Sequence, residues 1–82
     1  MNRATIILGI RRANGVYNQQ LNIFTLDFVT QDDKIDTAMM LANININDHV
    51  RIEWVDPATH AQMAVNRVVI AVNPQTRTIT LQ

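Results

Sequence analysis

Fourteen residues, Val16 to Val29, pass without a turn signal. Fully extended they would span about 46 Å at ~3.3 Å per residue. A compact chain of eighty-two residues has a radius of gyration near 12 Å and a diameter of about 30 Å. The run must therefore bend or leave the globule, and strongly bent strands belong to small barrels and orthogonal sandwiches. The hydrophobic phase agrees. Tyr17, Leu21 and Ile23 share one face, whereas Phe24, Leu26 and Phe28 fall on the other, the change that a β-bulge or sharp coil produces.

Upstream, Asn14-Gly15 is a hairpin signal, because both residues tolerate the positive φ of a type I′ turn. The strand-like segment Ala4–Arg12 precedes it. Downstream, Gln31-Asp32-Asp33-Lys34 reads as a polar turn. Ile35 to Ile46 supports two readings. Asp36 can cap a two-turn helix over 37–42 that Asn43 closes, or the same residues form a strand with Met39 and Leu41 inward. Asn43 to Ile46 alternates strictly, and Asn47-Asp48 turns the chain.

The C-terminal half is a three-stranded meander. His49 to Val55 alternates, with Val50, Ile52 and Trp54 opposing Arg51 and Glu53. Gln62 to Val72 is a long strand, and Arg77 to Leu81 closes the chain. The two connections, Asp56-Pro57-Ala58-Thr59 and Asn73-Pro74-Gln75-Thr76, share one pattern. In each, the Asx side chain accepts from backbone N–H groups ahead of it, and proline presets φ for the next position. The expectation is a single all-β domain over residues 1–82: a five- to six-stranded antiparallel barrel or sandwich, with one short helix near 36–43 as the variable part. Its closest general likeness is the small SH3-like barrel.

Composition narrows the functional classes. The apolar share is 48% and cysteine is absent, so the core stands without disulfides or thiolate metal sites. Such small domains often lean on partner subunits. Seven basic residues balance seven acidic ones, which argues against binding driven by phosphate neutralisation. Serine is missing while Asn and Gln number fifteen, a neutral hydrogen-bonding surface that suits wet macromolecular contacts. No segment reaches the ~18–20 apolar residues of a membrane helix, and no export signal is visible, so the cytoplasm is the expected location, or the host cytoplasm or virion for a phage-encoded chain.

Catalytic machinery is not apparent. Without Ser or Cys, and with Lys34 alone in a charged turn, no activated nucleophile emerges. His49 and His60 would need to converge with a carboxylate to hold a metal, and each lies in or beside a turn. Asp27, Asp32, Asp33 and Asp36 lack the spacing and glycine of a calcium loop. No metal, cofactor or small-molecule substrate is expected.

Binding remains. Arg3, Arg11 and Arg12 crowd the first hairpin beside Tyr17, a combination able to track a phosphate backbone and stack a base, or simply a solvated hairpin. Trp54, in phase with Val50 and Ile52, reads as core, or as a partner anchor if it reaches the barrel rim. The leading expectation is a non-catalytic protein-interaction module, either a subunit of an oligomeric assembly or a small inhibitor, of a size and amide content that suit a phage or mobile-element accessory protein. The alternative is a nucleic-acid-binding barrel using the basic hairpin.

Overall fold

The computed structural model describes residues 1–82. The strands are β1 (Asn2–Leu8), β2 (Arg11–Asn18), β3 (Ile23–Leu26), β4 (His49–Val55), β5 (Gln62–Asn73) and β6 (Thr78–Leu81). One helix, α1 (Gln31–Asn43), joins β3 to β4. All neighbours are antiparallel and the order β1-β2-β3-β6-β5-β4 closes on itself through the β1–β4 ladder. The expected β class is thus realised as a six-stranded barrel, with no helix long and apolar enough to cross a membrane. The interior is filled by Ile6, Ala13, Tyr17, Phe24, Leu26, Met40, Ile52, Val69 and Ile79, each at most 2% exposed.

The first hairpin turns earlier than Asn14-Gly15. Leu8 pairs with Arg11, so Gly9-Ile10 is the two-residue turn, and Gly9 alone of the two has positive φ, 61°. That pattern matches a type II′ turn. Gly15 instead lies mid-β2 opposite Leu26. A Cβ there would sit 2.1 Å from the Thr25 carbonyl oxygen and 2.5 Å from Phe24 Cε1. Glycine is needed for the close approach of β3, not for a turn.

The Val16–Val29 run is not one bent strand. It breaks after Asn18, whose Oδ1 accepts from the backbone N–H groups of Gln20 and Leu21. Asn22 completes the reversal at φ 57°. The phase change is real, but a turn causes it. The bend occurs in β5, where Val69 pairs with Leu81 and Ala71 with Thr80. Ile70 is left over as a bulge, which curves this twelve-residue strand into a molecule only 34 Å long.

Between the two sheet halves the helical reading holds, with an earlier start. Thr30 is the N-cap: its side chain accepts from the Asp33 N–H while Asp33 Oδ2 accepts from the Thr30 N–H. Gln31–Lys34 is therefore the first helical turn, not a loop, and Asp36 lies inside the helix. Met40 is buried and Met39 is 46% exposed, the reverse of the inward Met39 a strand would require. Thr37 Oγ1 donates to the Asp27 carbonyl and ties α1 to the segment after β3. Asn43–Ile46 forms no strand.

The C-terminal meander follows its expected course. Asp56 Oδ1 accepts from Ala58 and Thr59, and Asn73 Oδ1 from Gln75 and Thr76. The two Asx-Pro turns thus use the same hydrogen bonds.

Candidate functional site: an open strand edge beside an arginine groove

In β2 the odd residues Ala13, Gly15 and Tyr17 face the interior while Arg12 and Asn14 face out. This alternation separates the residues expected to act together. Tyr17 is 1% exposed, its hydroxyl donates to Asn22 Oδ1 at 2.6 Å, and its ring lies 5.6 Å from that of Trp54. A buried tyrosine with a satisfied hydroxyl is a core residue and offers no face to a base. Trp54, 6% exposed, is core as well, its edge reaching a groove that Arg3 also borders. Arg11 lies at the far end of β2, in a shallow depression shared with Arg12, Ile10, Asp36 and Met39.

Arg3 and Arg12 do share a surface, the outer face of β2-β1-β4-β5. Cross-strand rows there bring Asn14, Thr5, Glu53 and Ala64 into line. An open groove of about 680 Å³ runs along it, bordered by Arg3, Arg51, Glu53, Val55, Gln62 and Ala64. Its arginines are already paired, Arg12 and Arg51 sharing one glutamate. Arg3 makes a two-pronged ion pair with Asp27. Arg51 Nε donates to Glu53 at 2.9 Å, and Arg12 reaches the other Glu53 oxygen at 3.4 Å.

These bonds move the titrations. The hydrogen bond from Arg3 holds the Asp27 carboxyl below its ordinary value, and the Asp27 bond in turn raises Arg3. Glu53 is lowered by its Arg51 hydrogen bond, with Arg12 adding attraction. Of the other acids, Asp33 is occupied in the helix cap. The two histidines are apart: His49 opens β4 opposite Val68, while His60 sits in the turn beyond the Val55–Gln62 pair. The intervening rungs separate them by about 20 Å at ~3.3 Å per residue.

The feature that sequence reading had only in outline is the outer half of β5. Asp56 and Ala61 are bonded across the turn, and counting back in twos makes Trp54–Met63, Ile52–Val65 and Val50–Arg67 the mutually bonded pairs. The N–H and C=O groups of Gln62, Ala64, Asn66 and Val68 therefore point away from β4. Val68 finds its partner in Gln82, donating and accepting at 3.0 and 2.9 Å. β6 pairs with residues 69–73, and among residues 1–82 no strand lies beside Gln62–Asn66 on the side away from β4. Gln62, Ala64 and Asn66 thus present an open edge, and only the Asn66 carbonyl is covered, by its neighbour Arg67.

The same segment is bare on its faces. Gln62, Met63 and Ala64 are all exposed, and with Val55, 56% exposed, they form the outer end of the β4–β5 ladder. An edge of this kind is a template for another strand, and proteins usually protect one with charge, proline or a covering element. Residues 62–66 carry no charge and no proline.

Compared with family models, curated proteins and solved structures, the chain matches none of them.

Proposed function

We propose that this protein is a non-catalytic interaction module that engages another protein by strand addition to the open edge of β5. The carrying observation is the run of outward-pointing backbone groups at Gln62, Ala64 and Asn66, flanked by exposed Val55 and Met63. In such recognition the main chain supplies affinity, and alternate side chains of the added strand meet pockets on either side. The groove beside β5 supports this reading, since its lining includes the outer residues Gln62 and Ala64. The nucleic-acid alternative is not favoured, because its stacking residue Tyr17 is buried and Arg3 and Arg12 are paired with Asp27 and Glu53.

Photo-crosslinking in the expressing cell tests it. With p-benzoyl-phenylalanine in place of Met63, irradiation is expected to give a discrete protein adduct, and the same probe in place of Gln75 none. No adduct at Met63, or equal adducts at both positions, would overturn the reading.

A further inference from the structure

We infer that the strand added to β5 is β5 of a second copy, giving a two-fold symmetric dimer. This rests on the strand-addition reading and names its partner. Antiparallel pairing of identical edges requires that the edge be complementary to itself read backwards. With the two-fold axis at Ala64, Ala64 faces the partner's Ala64 and Gln62 faces the partner's Asn66. These are the residues whose N–H and C=O groups point away from β4. Every outward backbone group on one copy then meets an outward group on the other.

The side chains fit the same axis. On the outer face amide meets amide, Gln62 against Asn66, around a pair of alanines small enough to let the strands approach. On the inner face Met63 comes opposite the partner's Val65, an apolar pair of the type that stabilises cross-strand contacts. No charged residue occurs from Gln62 to Asn66, so superposing the edge on its copy brings no like charges together. The chain as a whole is neutral and lacks the self-repulsion that keeps highly charged chains apart.

Size-exclusion chromatography with light scattering tests the dimer. At tens of micromolar the mass should approach twice the 9.3 kDa of one chain. Ala64→Pro removes the central outward N–H at a position where an edge strand tolerates proline. It should weaken dimerisation by about tenfold or more while leaving the circular dichroism unchanged. Should Ala64→Pro fail to fold, a pair of surface variants gives the same decision. Gln62→Lys with Asn66→Lys should dissociate the dimer by facing lysine with lysine, and Gln62→Lys with Asn66→Glu should restore it by facing lysine with glutamate. A monomer at all concentrations, or a dimer indifferent to these changes, would overturn the proposal. A monomer whose Met63 probe still captures a different protein would overturn self-pairing and leave the strand-addition reading intact.

Discussion

Gly9 and Gly15 show how one residue type serves two unrelated needs within a single hairpin. At Gly9 a Cβ would meet nothing within 4 Å, but φ is 61°, so the demand is on the backbone. At Gly15 the φ is ordinary and the demand is on space, with the Thr25 carbonyl 2.1 Å from where a Cβ would lie. Gly15→Ala is therefore expected to destabilise the protein by about 3 kcal/mol, the upper range for overpacking. Gly9→Ala should cost about 1–2 kcal/mol, the penalty for left-handed backbone in an L-residue. Urea denaturation of both variants measures the difference, and a larger loss at Gly9 would contradict this assignment. Asn14-Gly15 imitates a turn in sequence because its cause, the approach of Phe24 and Thr25, is a contact with another strand.

At the scale of elements, what could be read from sequence was what is determined locally. The Asx-Pro turns and the alternation of β4 depend on neighbours a few residues away, and both stand as expected. The start of α1 was misplaced, because the polar run Gln31–Lys34 resembles a turn when taken alone, although Thr30 and Asp33 have the spacing of a capping box. What local pattern does not carry is the docking of elements on each other. Arg3 of β1 grips Asp27, whose carbonyl accepts from Thr37 of α1, so one residue joins three segments. Because Asp27 titrates below its ordinary value in the folded state, its contribution is fully present above the unfolded carboxylate pKa of about 3.9. The contribution is lost as pH falls from there through the lower folded value. Asp27→Asn should cost about 1 kcal/mol at pH 7, the upper end for pairs whose cation is exposed, and the gap from the native protein should close in acid below about pH 4. A gap that is constant from pH 7 to pH 2 would remove the ion pair as its cause.

The whole molecule is a barrel that closes at one height and stays open at another. Closure needs only the short β6 against β3 and the bulged end of β5, whereas the outer half of β5 continues past that seam with only β4 beside it. The mismatch was partly visible in sequence, where an eleven-residue strand run, Gln62 to Val72, precedes one of only five, Arg77 to Leu81. Which backbone groups the mismatch exposes was not, because that depends on ladder register. Arg3, Arg11, Arg12 and Tyr17 looked like one surface from their types, and Trp54 like core or a rim anchor, yet strand alternation sends Tyr17 and Trp54 inward and leaves the arginines without an aromatic partner. The proposed binding surface lies instead in residues with no chemical signature: alanine, amides and bare main chain.

Residue-resolved amide exchange by NMR, at a dilution that holds the protein as a monomer, measures that edge directly. Met63 and Val65, bonded to Trp54 and Ile52, should be protected, while Gln62 and Ala64 between and beside them exchange at close to unstructured rates. Protection of Ala64 equal to that of Val65 in the dilute monomer would mean that the edge is already covered, and no strand could be added there.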